Sequence, residues 1–316
     1  MLVDLGAFDR RRKMYSDESH VYLPILEVDD NTRAKLCQLA EFEWVETAFP
    51  QEEHHLSPEE ILGFRPSFET VGDIAIIEDK DTEKVACALM STCKSIKTVV
   101  APISDVEGEF RTRRFKVVAG EVRTTTTTHK EHGLSYRVDL GGAYFTPRLG
   151  TERLRIANLI SPSEVVLDMF AGVGPFALLL AKRGSRVVAI DKNPVAVKYL
   201  RENALLNKVE NIEILEGDAA ELTLNYKDWA DHVIMNLPHS ASQFLIPAMT
   251  AVKSGGCIHY YAISPEDDLY RDLALIEQAA AQMGAFVEVL YRGVVRSYSP
   301  HRYNVVIDFR VRKSIS

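Results

Sequence analysis

From about residue 152 onward the chain alternates short apolar runs with longer amphipathic ones, and no other feature restricts its fold so tightly. "EVVLD" (164–168), "RVVAID" (186–191), "IEIL" (212–215) and "HVIMN" (232–236) have strand length and little polar alternation. Runs of this kind are buried on both faces, as the strands of a parallel sheet are. Between them lie helix patterns: "PFALLLAKRG" (175–184), closed by Gly184, and "PVAVKYLRENALLN" (194–207), with Pro194 at a first position where a missing N–H costs nothing. "CIHYYAI" (257–263) continues the sheet, and a helix is expected over 268–283. "FVEVLYRGVV" and "YNVVIDFRV" read as an antiparallel pair at one sheet edge. The expected fold is α/β: a Rossmann-like domain with a mostly parallel sheet and an antiparallel edge.

The preceding sequence has a different texture. "GDIAIIE", "KTVVAPI", "RFKVVAGEVRTTTTT" and "YRVDLGGAYF" make residues 67–146 strand-rich, with one helix around "TEKVACALMSTC" (82–93). Threonine suits strands, so "TTTTT" (124–128) is expected at a sheet edge. The first 65 residues read as a small α+β unit, "HVYLPIL" as a strand and "NTRAKLCQLAEF" as a helix, followed by a Glu-rich, Pro-punctuated linker at 50–66. Three domains are therefore expected, at 1–64, 67–146 and 147–316, and 316 residues suffice for that many cores.

Composition sets the remaining bounds. With 46% apolar and 26% charged residues the chain reads as a soluble globular protein. It has no apolar run of about 18 residues, so no membrane span is expected. Its start lacks the basic-then-apolar layout of a signal peptide. The four cysteines form no CxxC pair, which points to reduced thiols in a cytoplasmic protein and to no metal site. A formal charge of −8 argues against a nucleic-acid partner, but the charge is segregated. Residues 41–60 hold seven Glu and no Lys or Arg, whereas "RTRRFK" (111–116) and residues 292–313 are strongly basic.

The strand ends carry the chemistry. Asp168 ends the first strand and precedes a turn with Gly172 and Gly174, where backbone can approach a ligand at a helix N-terminus. Asp191 ends the next strand, placed to accept both hydroxyls of a ribose. Asp218, in "LEGDA", ends the third and can accept from an adenine amino group, and Asn236 ends the fourth. Any one of these could be an ordinary helix cap. Four at successive strand ends lie along the crevice where open α/β sheets bind ligands. The glycine pattern is only part of a dinucleotide fingerprint, so a nicotinamide cofactor fits less well. An acid ahead of the first glycine turn, with Asn-Leu-Pro after strand four, resembles the class I S-adenosylmethionine-dependent methyltransferases.

A longer set of segments is more specific. "VGDIAIIE" (71–78), "EGEFRTR" (107–113), "THKEHG" (128–133), "YFTPRLGTERLRI" (144–156), "DMFAGVGPF" (168–176), "MNLPHSA" (235–241), "GGCIHYYAI" (255–263) and "VRSYSPHRYNVVIDF" (295–309) run in order along the chain. Together they resemble the archaeal and eukaryotic tRNA (guanine-37, N1)-methyltransferases. The resemblance implies two small α+β RNA-binding domains ahead of the cofactor domain, with a monomer gripping the anticodon stem-loop and outer corner of tRNA. It implies Glu152 as general base for the N1 proton, in apolar surroundings that raise its pKa, and Arg111 as the cation beside O6. Asn236 aligns the base edge, Pro238 stiffens its turn, and Tyr144 packs beside the base or cofactor. Cofactor contacts are expected from Arg148, Arg153, Asp168, Phe170, Gly172, Gly174, Asp191, Lys192, Asp218, Ala219 and Asn236. His239 is read as solvent- or phosphate-facing rather than as a second base.

The nearest rival is the related wyosine-pathway enzyme, which transfers the aminocarboxypropyl arm of the same cofactor at the same tRNA position. Additional methylation of a tricyclic guanosine intermediate is a variant of that reading. A catalytically silent RNA-binding module is the rival from another class, and the intact Glu152, Arg111 and Asn236 set speaks against it.

Overall fold

The computed structural model describes residues 2, 5–9, 11–39, 41–50, 56–78, 80–104, 108, 110–120 and 124–314. Parts of "EGEFRTR", residues 121–123 in the middle of the strand expected over 114–128, and residues 51–55 at the start of the expected linker lie outside the described residues. The chain divides into two compact units, Met1–Phe64 and Arg65–Ser316.

In the first unit β1 (Tyr15–Ser16) pairs antiparallel with β2 (Val21–Tyr22), and the Tyr15 and Tyr22 rings stack at 4.6 Å. The strand expected over 20–26 is this short because Pro24 has no N–H to continue a ladder. Helix α1 (Asp30–Leu39) starts where Asp29 accepts the Thr32 amide at 2.7 Å. The stretch expected as linker contains a short helix, α2 (Pro58–Leu62). Ser57 and Glu60 form a reciprocal capping box there, and Pro58 takes the first position.

The second unit opens with β3 (Phe68–Val71), β4 (Ile74–Ile77), α3 (Thr82–Thr92), β5 (Thr98–Pro102) and β6 (Phe115–Gly120). They form a four-stranded sheet in the order β3-β4-β5-β6, with α3 crossing over between the parallel β4 and β5. The threonine tract leads into β7 (Thr126–Glu131), which pairs with β8 (Leu134–Asp139) as a separate hairpin. "YRVDLGGAYF" does not stay extended. The chain turns after Asp139, whose side chain accepts from Thr125 and from the Gly141 amide.

Then follow α4 (Gly150–Leu159), β9 (Val165–Asp168), α5 (Ala177–Lys182), β10 (Arg186–Asp191), α6 (Pro194–Leu206), β11 (Ile212–Glu216) and α7 (Ala219–Leu222). The chain finishes with β12 (Ala230–Met235), α8 (Leu245–Ala251), β13 (Val252–Pro265), α9 (Leu273–Gln282), β14 (Ala285–Ser299) and β15 (Arg302–Lys313). The seven-stranded sheet has the order β11-β10-β9-β12-β13-β15-β14. Strands β9 to β13 are parallel, and β15 lies antiparallel between β13 and β14. This is a mixed α/β architecture, a mostly parallel sheet with an antiparallel edge, as expected from the alternation of strand and helix patterns. Neighbouring residues on a strand serve opposite faces: Val166 and Ile234 pack with α5, α6 and the β7-β8 hairpin, while Leu167 and Val233 pack with α8 and α9. Both faces are covered, which is why these strands read as unbroken apolar runs.

The chain leaves β9 in one direction, through β10 to β11, and later returns to β12 on the other side of β9. Between β9 and β12 the strand order therefore reverses, and such a point opens a crevice beyond the strand ends.

Candidate active site

A cleft of about 1020 Å³ lies at that reversal. Its wall takes Met169, Phe170, Ala171 and Gly172 from the turn after β9, Asp191 to Asn193 from the end of β10, and Gly217 to Ala219 from the end of β11. Asn236, Leu237 and Pro238, after β12, complete the row. The four polar strand ends read from the sequence are thus brought together, three of them lining the cleft and Asp168 immediately behind Met169.

The turn after β9 needs its glycines. Gly172 has φ 57° and Gly174 φ 94°, and a Cβ on Gly174 would sit 2.3 Å from Leu200 Cδ1. The Gly172 amide donates to Asp191 Oδ2 at 2.6 Å, and the Asn193 amide donates to Oδ1 at 2.8 Å. Asp191 therefore ties two loops together as well as facing the cleft. Burial raises its pKa, opposed by those two amides. Asp218 caps α7 through the Ala220 amide at 2.8 Å and meets Lys192 Nζ at 3.2 Å. These bonds lower its pKa, the Ala220 amide most.

Asp168 is the electrostatic anomaly. It is 1% exposed; Oδ1 accepts a long bond from the Phe170 amide, 3.4 Å, and Oδ2 has no hydrogen-bond partner among the described residues. Burial, reinforced by the charge of Asp191, raises its pKa from 3.8 to about 7. A buried carboxylate oxygen without a donor is a place where a ligand donor would be accommodated. With the apolar wall of Met169 and the edge-on Phe170–Phe244 pair at 4.9 Å, these carboxylate acceptors fit a nucleoside cofactor with a hydroxyl-rich sugar and a cationic tail.

Arg111 and Tyr144 stand at the rim, the guanidinium 5.6 Å from the ring centre. Arg111 holds φ 54°, a left-handed conformation uncommon outside glycine. With Phe145 they also line a second cavity, of about 610 Å³, which adds Glu69, Glu78, Arg113 and Arg148. Arg148 belongs to this second cavity alone, paired with Glu69 at 3.1 Å. Arg148, expected as a cofactor contact, is thus placed in the second cavity, its side chain extending from the turn ahead of α4 toward Glu69 of β3. Arg153 does line the cleft, yet it is 2% exposed and forks onto Glu131 with two bonds of 2.6 Å. Burial pushes the pKa of Glu131 up, but His129 and then the Arg153 bonds outweigh it and hold it down to about 2.

Glu152 also departs from expectation. It is 8% exposed on the first turn of α4, but its neighbours are polar. Arg155 donates to both its oxygens at 2.8 and 2.7 Å, and the Tyr261 hydroxyl donates at 2.7 Å. The carboxylate does not line the cleft, although Leu149 and Arg153 of the same segment do. Arg155 sits one helical turn beyond Glu152, a spacing visible in "TERLR", whereas Tyr261 and Asp308 are distant in sequence and gave no local signal. Phe110, Phe145, Asn193 and Phe244 also line the cleft without having been singled out. Asn193 could have been found as the cap of α6 beside Pro194. His239 is exposed, edge-on to Tyr298 at 5.3 Å; burial first, then Arg111 and Arg302, lowers its pKa.

Residues 127–290 match the model of the TRM5/TYW2 methyltransferase domain. The chain belongs to that family. Residues 53–124 match the TYW2 N-terminal domain. Among TRM5/TYW2 relatives, the tRNA (guanine(37)-N(1))-methyltransferase Trm5b of Pyrococcus abyssi is 39% identical, over 98% of this chain and 94% of its own. The complex of aTrm5 with tRNALeu superposes with a TM-score of 0.74 at 33% identity, covering 98% of this chain and 94% of that one. TYW2 of Methanocaldococcus jannaschii in complex with AdoMet superposes at 0.63 with 28% identity, covering 78% and 100%. Among the described residues of this TRM5/TYW2 member, no helix is long and apolar enough to cross a membrane.

Proposed function

We propose that this protein transfers the methyl group of S-adenosylmethionine to N1 of guanosine 37 in tRNA. The supporting observation is a strand-end cleft of nucleoside character that shares a wall, Arg111, Tyr144 and Phe145, with a second, arginine-bearing cavity. One cavity suits the cofactor and the other an everted nucleotide approaching it. Bound in the cleft, S-adenosylmethionine supplies an electrophilic methyl group. Asp191 receives the ribose hydroxyls, Asp218 and Ala219 meet the adenine, and Asp168 draws the cationic end with its unpartnered oxygen. Phe170, Gly172 and Gly174 shape the wall, Lys192 stays with Asp218, and Arg153 braces the floor through Glu131.

Guanine N1 carries hydrogen in the neutral base, so methylation requires its removal and pushes negative charge towards O6. Arg111 stands at the shared wall to stabilise that charge. Asn236, whose amide has no hydrogen-bond partner among the described residues, holds the base edge, with Pro238 stiffening its turn and Tyr144 packed alongside. Glu152 takes the proton. To do so its carboxylate turns out of the Arg155 fork towards the cleft, a tightening on substrate binding that is common for catalytic groups. Residues 67–146 and the basic strands at the C-terminus contact the anticodon stem through its phosphates, and residues 1–64 the outer corner, in a monomer.

The match of residues 53–124 to a TYW2 N-terminal domain favours one second reading, transfer of the aminocarboxypropyl arm. Two labelled cofactors separate them. With purified protein and a tRNA transcript, label in the methyl group should reach the RNA, and an adenosine at position 37 should abolish it. Transfer of label from the aminocarboxypropyl arm instead would overturn the methyl assignment.

A further inference from the structure

Arg155 is shared between two carboxylates. Its Nε and one terminal nitrogen bind Glu152, and the other terminal nitrogen binds Asp308 at 2.7 Å. Asp308, on β15, is 2% exposed and also meets His259 Nδ1 at 2.8 Å. His259 Nε2 lies 3.0 Å from His232 Nδ1, and His232 Nε2 faces Glu164 at 3.5 Å. Tyr261 from β13 completes the surroundings of Glu152, and the Tyr291 ring from β14 stacks 4.5 Å under Arg155. All of this lies on the sheet face beneath α4.

His232, His259 and Cys257 bring their ligand atoms within 4.8 Å of one another, which raises the question of a metal. The geometry answers it. The two rings lie within 6° of parallel, and their centres, 5.2 Å apart, are separated by the nitrogen–nitrogen distance plus about two ring radii. The nitrogens therefore point at each other, as one N–H donating to one lone pair, rather than converging on a common ion. The histidine pair is spent on anchoring Asp308.

We propose that Asp308 is a positioning residue that retains Arg155 when Glu152 turns to take its proton, so that the partly buried guanidinium is never left without a carboxylate. This rests on Glu152 being the base. Removing the charge of Asp308 leaves Arg155 to Glu152 alone, tightening the fork and making Glu152 a weaker base. Removing the charge of Arg155 leaves Glu152 near Asp308 without a counter-ion, making it a stronger base that is protonated at higher pH. His232 is lowered to about 4, by burial and His259, and Cys257 is pushed up to about 12 by burial. Neither titrates near neutral pH to confuse the reading.

The test is the pH profile of kcat at saturating tRNA and cofactor for Asp308→Asn and Arg155→Gln, with melting curves confirming the fold. Asp308→Asn should lower kcat by about three- to tenfold and move the acid limb down by roughly one pH unit. Arg155→Gln should move that limb up by a similar amount, and cofactor Kd should stay within about twofold in both. Acid limbs at the wild-type position in folded variants would overturn the proposal, as would shifts in the same direction. If one variant fails to fold, the direction of the other decides. Glu152→Gln separates the two levels: full turnover there would defeat the base assignment itself. An inactive Glu152→Gln beside unshifted Asp308→Asn and Arg155→Gln limbs would defeat only the role of Asp308.

Discussion

Asp168 and Glu152 are two acids of the same half of the chain whose surroundings differ, and the difference makes predictions. Asp168 has an ordinary value of 3.8 unfolded and about 7 folded, so between those values the folded state binds more protons. Stability contributed at this site is then greatest below about pH 4 and declines as pH rises through 7, by up to about 4 kcal/mol. Melting temperature measured from pH 4 to 9 should show that decline relative to Asp168→Asn, and parallel curves for the two proteins would contradict it. Glu152→Gln should lower kcat by at least about a hundredfold while isothermal titration finds cofactor affinity unchanged. Asp168, Asp191, Asp218 and Asn236 were legible because each ends an apolar run. The surroundings of Glu152 were not, since Tyr261 and Asp308 reach it only through the folded sheet and turn an expected apolar site into a polar one.

The strands β9 to β12 and the helices between them were legible as elements because burial on both faces leaves an unbroken apolar signal. The β7-β8 hairpin was harder to read, because what completes it is not a strand. Asn203 on α6 and Asn207 at its C-terminal cap, one turn apart, act as a substitute neighbour for β8. Asn203 accepts from the Arg137 amide at 2.7 Å and donates to its carbonyl at 3.0 Å. Asn207 does the same at Ser135, at 2.8 and 2.7 Å. Asn203 is fully buried, so Asn203→Ala would leave backbone groups of β8 and the Val173 carbonyl without their partner. Urea unfolding should find a loss of about 2–3 kcal/mol. A change below about half a kilocalorie would mean that water replaces those bonds. The helical spacing of two asparagines gave no hint of this use, since polar residues on a helix ordinarily face solvent.

At the scale of the molecule, the proposed activity requires a chain of net charge −8 to bind a polyanion, which it can do only by segregating its charge. Segregation was legible as basic runs at 111–116 and 292–313. Where they meet was not, because residues so far apart in sequence are joined only by folding. Arg111 and Arg302 both act on His239, which places basic charge from the two runs at the Asn236–His239 turn. Affinity for tRNA should therefore fall steeply with salt, with a log–log slope of about −4 or steeper, while cofactor affinity stays nearly flat. A shallow slope for tRNA would mean that phosphate contacts are few. The central claim, methyl transfer to a ring nitrogen of one guanosine, is tested most directly by mass spectrometry of the nucleosides of tRNA incubated with the protein and S-adenosylmethionine. The expected product is N1-methylguanosine, confined to position 37 and absent with Glu152→Gln. A methyl group on another atom or position, or an aminocarboxypropyl adduct in its place, would contradict the account.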